Sequence, residues 1–558
     1  MIIANTLLSM VGELYYSKLR RASRHPRKAA ESGLRHILSY AKDSEFGRKH
    51  DFAYILQAKD DNELYRRYRE KVPVCNYEDL RPLVERHKNG EENVLFPGKP
   101  VLYTTTSGTT SKPKWIPITP EYLYNIYGKM TKVWLYNFIK NRPKVFSGKV
   151  FSVIGKLVEG YAPDGTVLGS LSGYTQGTCP DFLKVIYANP PCVSGIADYD
   201  SRYYVLMRRG IEQDVALIIA ANPSSIVELQ NNVEKYFDDY VDDIEHGTLK
   251  ADLKIEPEIR AELEPMLKPN PKRAAELRAL KAKFGEILPK HYWPNLQILN
   301  TWRCGNTRIY LDKFKDWFPE GMLHQEFGYF ASECRFGLVL DDSLNTVLFP
   351  HYHYYEFVEE SEVDSPDPHF LQVYELQQGK RYCMYITNTT GFYRYNMSDI
   401  LEAGPCFKKT PTVHMIQKLH GIVTITGEKL HEQQFIEAVH SAEQATGLKT
   451  NFFIGFADLA IKGYRFYYEF SNPAVSQQQA EQFTAAVDEA LMSINIEYKT
   501  KRDSLRLPLP ETFRLQPAAF EAYKGQCHAE GARDGQFKLQ LLLQDESRHA
   551  KFKQFVLK

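Results

Sequence analysis

The sequence lacks an excess of either charge: 70 lysines and arginines stand against 69 aspartates and glutamates, a formal net charge of +1. That balance excludes a dedicated nucleic-acid binder with a broad basic field, while leaving room for a local basic pocket. It also lacks any Cys-x-x-Cys pair. Its eight cysteines are scattered at positions 75, 179, 192, 304, 334, 383, 406 and 527. This excludes a zinc ribbon and a thioredoxin-type redox site, and reduced thiols in a cytoplasmic protein become the expectation. No stretch approaches the ~18 apolar residues of a membrane span. The opening Met1-Ile2-Ile3-Ala4-Asn5 has no basic n-region, so neither a leader nor a membrane partner is expected. No internal repeat or long low-complexity segment is present. What remains is a chain of 558 residues, 43% hydrophobic and 25% charged. Such a composition is that of a soluble globular protein, and the length requires two to four folding units. Nothing in it reports an oligomeric state, so a monomer is the default.

The densest chemical signal is Thr105-Thr106-Ser107-Gly108-Thr109-Thr110-Ser111-Lys112-Pro113-Lys114, set between the strand-like runs Val101–Tyr103 and Trp115–Ile118. Backbone N–H groups, hydroxyls and cationic tips meet at one point, which is what a polyphosphate needs in order to be gripped and released. The loop has no Gly-Lys-Ser/Thr ending and no helix signal after it, so it is not a Walker A loop. Ser107, Gly108, Thr109, Thr110 and Lys114 are the phosphate candidates. The plain alternative is a Ser/Thr-rich surface turn.

Around this loop the chain alternates helices and strands. Residues 6–70 read as helices, with Leu34, Ile37, Leu38 and Ala41 at helical spacing. Val215–Ala220 is a strand running into the helix-start signal Asn222-Pro223-Ser224-Ser225. Lys149–Ile154 and Asn295–Leu299 are further strands, the latter entering Thr301-Trp302-Arg303-Cys304-Gly305. The mixed charges and prolines of residues 238–285 predict solvated helices and turns. A boundary falls near 415–430. Beyond it, Phe452–Phe456 and Tyr464–Phe470 alternate as strands and Gln477–Ile496 has a helical face. The fold class is therefore α/β, with a large domain over 1–420 and a small domain over 421–558.

Three further segments carry chemistry. In Phe327-Gly328-Tyr329-Phe330-Ala331-Ser332-Glu333, Tyr329 offers a ring to a purine and Glu333 an oxygen ligand to Mg²⁺, with Ser332 between them; a buried turn would have the same composition. In Phe392-Tyr393-Arg394-Tyr395-Asn396-Met397-Ser398-Asp399, Asp399 offers acceptors to ribose hydroxyls and Arg394 a cation to phosphate; a structural salt bridge is the alternative for Arg394. Gly427-Glu428-Lys429 and Gly535-Gln536-Phe537-Lys538 each place a lysine after a glycine-containing turn. Tyr124 and Tyr127, with Tyr122 and Met130, form a stripe after the loop, and Tyr174 follows a Gly-Ser-rich turn; these are candidates for an acyl pocket or simply for core. His351-x-His353 shares one strand face, but without a third ligand it does not make a metal site.

Taken in order, these motifs resemble the acyl acid amido synthetases, the plant auxin- and jasmonate-conjugating enzymes and their bacterial relatives, a branch of the adenylate-forming superfamily. The resemblance extends over nearly the whole chain and includes the lead-in Lys71-Val72-Pro73-Val74-Cys75-Asn76-Tyr77-Glu78-Asp79-Leu80. It implies a large adenylating domain and a smaller, mobile C-terminal domain. It implies an enzyme that uses ATP and Mg²⁺ to turn a small carboxylic acid into an acyl-AMP, then transfers the acyl group to an amine, typically of an amino acid. It assigns Gly305 to the turn beside adenine, Lys538 to completing the adenylation site, Lys429 as second choice, and residues 418–426 to the hinge. Ser111 and Ser398 depart from the family's glycines, and Gln540-Leu541 and Lys418–Gly421 depart in the tail and hinge. Two alternatives remain at this point: transfer to a thiol such as coenzyme A or a carrier protein, and a catalytically inactive nucleotide-binding protein.

Overall fold

The computed structural model describes residues 2–106, 113–304, 311, 314, 316–419, 422–520, 522–523, 541–544 and 546–557. It divides into two compact units, one holding residues 1–106 and 114–417 and the other residues 107–113 and 418–558.

In the first unit the helical opening is formed by Ile2–Arg24, Pro26–Ala41 and Asp61–Lys71, joined by two short helices. Leu34, Ile37, Leu38 and Ala41 are all fully buried, as their spacing predicts. The helix Tyr77–Lys88 starts at a reciprocal cap. Asn76 Oδ1 accepts from Glu78 N at 2.8 Å, and Asp79 Oδ2 accepts from Asn76 N at 2.9 Å.

Val215–Ala220 is apolar throughout because it lies inside a four-stranded, wholly parallel sheet. The order is Lys149–Val153, Val215–Ala220, Ile298–Thr301, Leu323–Glu326. Two functional candidates, the turn after Thr301 and the segment after Glu326, leave the carboxyl ends of neighbouring strands. Open α/β sheets place their ligands at that edge. The charged 238–285 stretch forms the end of the helix Ser224–His246 and the exposed helices Pro257–Leu263 and Pro271–Phe284.

A second sheet of the same unit has seven strands. Its centre is the antiparallel run Tyr354–Glu359, Arg381–Thr387 and Tyr395–Phe407. The hydroxyl-rich loop joins two antiparallel strands, Leu102–Thr106 and Lys114–Ile118, whose register pairs Thr106 with Lys114.

The second unit pairs Thr450–Asp458 with Gly463–Phe470 antiparallel and adds Glu511–Arg514 and Leu542–Leu543 in parallel at either edge. The helix expected over 477–496 ends at Ile494. Asn495 takes an extended conformation and caps a separate helix, Ile496–Asp503, by accepting from Tyr498 N at 3.0 Å.

Candidate active site

Among the described residues, the site is built on segments that meet in the first unit. Lys114 opens the strand that follows the hydroxyl-rich loop. Its Nζ donates to the Tyr395 hydroxyl at 3.4 Å and lies 5.6 Å from the Tyr77 ring. Tyr77 fixes this strand by hydrogen-bonding both Trp115 N and Trp115 O, at 2.6 and 2.8 Å. Ser107, Gly108, Thr109 and Thr110 lie outside the described residues.

Tyr395 opens the strand that carries Asp399. Between the pairs Tyr385–Asn396 and Cys383–Ile400 the register shifts, so Met397, Ser398 and Asp399 oppose Met384 alone. Such a bulge re-aims a side chain out of the strand's alternation. Ser398 absorbs the distortion at φ 51°, and its N–H donates to Asn396 Oδ1 at 2.8 Å. That is the left-handed region, in which glycine costs nothing and serine is strained.

The bulge aims Asp399 at Tyr329, whose hydroxyl donates to Asp399 Oδ2. Tyr329 follows the parallel strand Leu323–Glu326 through Gly328, at φ 92°, where a Cβ would come within 3.1 Å of the Gly337 carbonyl oxygen. Its N–H donates to Thr346 Oγ1 at 3.1 Å and its ring stacks on Phe336 at 4.3 Å. One face of the ring is thus already covered. Burial first, and then the Asp399 carboxylate, push the Tyr329 hydroxyl well above its usual range, so it stays a donor. The Tyr395 hydroxyl is raised in the same way, by burial and then by Glu333. Glu333 itself is 8% exposed. Among the described residues no donor is hydrogen-bonded to its carboxylate, and Ser332 beside it is half-buried. A buried carboxylate in that state suits a hard cation, which takes oxygen ligands and shares the rest of its shell with phosphates and water.

Arg394 does not join this group. Its Nε pairs with Glu356 Oε2 at 2.8 Å, a second nitrogen donates to the Val72 carbonyl at 3.0 Å, and the guanidinium lies 4.5 Å from the Phe370 ring. Arg69 also reaches Glu356, at 2.9 Å. The expectation of a phosphate ligand gives way to the structural salt bridge, because the charge is already spent on a buried carboxylate. Likewise Arg208 is a buried structural cation, paired with Glu212 at 2.6 Å.

The turn assigned to adenine is described as far as Cys304; Gly305 lies outside. Its base is latched to the Tyr329 segment. Trp302 Nε1 donates to the Gly328 carbonyl at 3.2 Å, and Glu326 accepts from Arg303 N and, at 3.0 Å, from Gly328 N. Burial pushes Glu326 up to about 6 against these donors. Sequence reading missed Glu326. The one signal was an acid closing a buried strand immediately before Phe-Gly.

The tyrosine stripe splits. Glu121–Tyr127 is a π-helical turn, a rare geometry that recurs at functional sites. Tyr122 and Met130 are buried core, Tyr127 is buried facing Phe330, and Tyr124 is exposed and adjoins Tyr174. Burial lowers His351 to about 3 and His353 to about 4. Among the described residues no three potential ligands gather for a metal.

In the second unit, Glu428 is fully buried and folds the turn before Lys429. It accepts from Ile425 N and Thr426 N at 2.8 Å, from Thr426 Oγ1 at 2.7 Å and from Tyr464 at 2.6 Å. The Lys429 carbonyl accepts from Asn495 at 2.9 Å. Lys501 was not foreseen; burial, then Arg506, lowers its amine to about 8, with Glu428 opposing. Lys538 lies outside the described residues.

Comparison with known proteins gives three consecutive family matches: GH3 family N-terminal domain over residues 15–323, central domain over 346–418 and C-terminal domain over 433–547. An indole-3-acetic acid-amido synthetase, GH3.10 of Arabidopsis thaliana, is 24% identical over 462 residues, 76% of each chain. A jasmonoyl-L-amino acid synthetase, JAR4 of Nicotiana attenuata, is 24% identical over 398 residues, 67% of each chain. The solved structure of GH3.15 acyl acid amido synthetase superposes with a TM-score of 0.63 at 19% identity, covering 97% of this chain and 96% of that one. At that identity the superposition establishes the fold, a large α/β domain followed by a smaller one.

Proposed function

The chain belongs to the GH3 family, and from that premise we propose that it activates a small carboxylic acid with ATP and passes the acyl group to an amine, giving an amide. The observation that carries this reading is the hydrogen bond from Tyr329 to Asp399. It joins the aromatic–Ser–Glu segment to the Tyr-Arg…Asp segment, and Lys114 on Tyr395 adds the base of the phosphate loop. Three motifs far apart in sequence thereby serve one nucleotide.

Asp399, held by Tyr329, takes the ribose hydroxyls. Ser107, Gly108, Thr109, Thr110 and Lys114 take the phosphates, and the turn at Gly305 lies against adenine. Glu333 would hold Mg²⁺, which when bound supplies positive charge against the phosphates. In the first step a carboxylate oxygen of the acid attacks the α-phosphorus, and the bond to pyrophosphate breaks. Two anions must approach, so cationic side chains lower the barrier most where charge develops on the leaving group. Lys538 has that role, with Lys429 second. In the second step a neutral amine attacks the acyl carbon, AMP leaves with the electron pair, and the amine loses its proton. That relatives are named for joining indole-3-acetic acid or jasmonate to amino acids favours an amino acid as the amine.

Residues 1–420 form the adenylating domain and 421–558 the domain that brings Lys538, with the hinge in 418–426. All seven described cysteines are free thiols, which suits the cytoplasm. Among the described residues no helix is long and apolar enough to cross a membrane.

The test is a panel of carboxylic acids scored by pyrophosphate release, repeated with hydroxylamine to trap the activated acyl group. Acid-dependent release and a trapped hydroxamate are expected. Binding of ATP with no release from any acid would reduce the chain to a nucleotide-binding protein.

A further inference from the structure

Among the described residues three arginines are nearly or wholly buried, and two of them are balanced by carboxylates: Arg208 by Glu212 and Arg394 by Glu356. Arg335 is not. It is 1% exposed, yet among the described residues no carboxylate lies within ion-pair distance. Among the described residues its one side-chain hydrogen bond is a long one, 3.5 Å to Thr131 Oγ1, and its Nε makes none. Instead the guanidinium sits in a box of rings, 4.5 Å from Trp134, 5.1 Å from Tyr127, 5.2 Å from Phe330 and 5.9 Å from Phe327.

Arginine cannot shed its proton to escape such a place. Ring faces offset part of the desolvation of a cation but supply no counter-charge. The box is therefore incomplete without an anion. It is also rigid. Arg335 N donates to the Tyr122 hydroxyl at 2.7 Å, and the Arg335 carbonyl is 3.1 Å from His353 Nε2. A site held in place before its ligand arrives loses less entropy on binding.

Its position says which ligand. Glu333, two residues earlier, acts electrostatically on Tyr329 and Tyr395, the nucleotide side. Arg335 serves the other side, the π-helical turn and the helix Gly128–Asn141 behind it. An acid whose reacting carboxylate lies on the Glu333 side would point its remaining body at the Arg335 box. We propose that Arg335 is the anion receptor of the acyl pocket, and that the substrate is an acid on a flat or apolar frame that carries a second anionic group besides the carboxylate that is activated. This rests on the adenylation reading above.

The experiment uses the full chain with MgATP and matched pairs of acids: benzoate with isophthalate, phenylacetate with 1,3-phenylenediacetate, hexanoate with adipate. The readout is kcat/KM from pyrophosphate release. The dianion of at least one pair is expected to be favoured by about 100-fold, since a site that offers buried donors rejects the analogue lacking their partner. Arg335→Met, which keeps the volume, is expected to reverse that preference mainly through KM for the dianion, and Arg335→Lys to retain part of it. The wild-type ratios decide the matter even if the methionine variant fails to fold. Monoanions turned over as well as or better than their dianions in every pair would overturn the inference and leave the adenylation reading standing. Silence from every acid would remove both.

Discussion

Tyr329 and Asp399 stand 70 positions apart in the chain and are joined by a hydrogen bond from phenol to carboxylate. The phenol leaves the end of a parallel strand and the carboxylate leaves a bulge in an antiparallel one. Replacing Tyr329 with Phe removes one donor from a buried carboxylate. A hydrogen bond to a charged group contributes about 1.5–3 kcal/mol, so KM for ATP should rise on the order of tenfold, with a matching loss of thermal stability. Titration of ATP against pyrophosphate release checks it; an unmoved KM would detach Asp399 from the nucleotide.

Arg394 gives the opposite expectation. Glu356 is 1% exposed, and removing its closer partner leaves a buried carboxylate leaning on Arg69 alone. Arg394→Ala should cost about 3 kcal/mol in urea unfolding. The protein that remains folded should bind ATP within twofold of wild type. A tenfold loss of ATP affinity without loss of stability would return Arg394 to the phosphate.

Ser398 at φ 51° is strained by about 1 kcal/mol relative to glycine. Ser398→Gly should be neutral or gain up to about 1 kcal/mol, because glycine's looser unfolded chain offsets part of the relief. Ser398→Val, with a branched Cβ, should lose about 2 kcal/mol or more. Equal stability of the two variants in thermal unfolding would contradict the bulge geometry.

Glu326 makes the fold sensitive to pH. Its folded value, about 6, lies above the unfolded 4.5, so the fold favours the protonated acid. Its stabilisation is complete below pH 4.5 and is lost as pH rises through 6, a loss of about 2 kcal/mol for a shift of this size. Unfolding free energies measured from pH 4 to 7.5 should therefore fall more steeply for wild type than for Glu326→Gln over that window. Parallel curves would refute the assignment.

Lys538→Ala should slow acid-dependent pyrophosphate release by about 10²–10³-fold, the effect of losing one cation from a leaving-group site. Lys429→Ala should cost less. If Lys429→Ala costs more, the two assignments exchange places.

The periods of the chain determined its helices and strands. Leu34, Ile37, Leu38 and Ala41 had to share a helix face, and Val215–Ala220 had to be a strand running into a helix, because burial follows local geometry. The order of the motifs determined the family, since loop, aromatic–Ser–Glu and Tyr-Arg…Asp are each contiguous in sequence. Only the tertiary structure decided what those residues touch. Arg394 and Asp399 are five positions apart and looked alike as ligands, yet a three-residue bulge sends Asp399 to Tyr329 while Arg394 turns back on Glu356. Whether a buried charge meets its opposite depends on strand order and register, which bring together residues that the chain keeps far apart. Arg335 shows the same dependence from the other side: no reading of Cys334-Arg335-Phe336 could reveal that four rings, and no carboxylate among the described residues, would surround that cation.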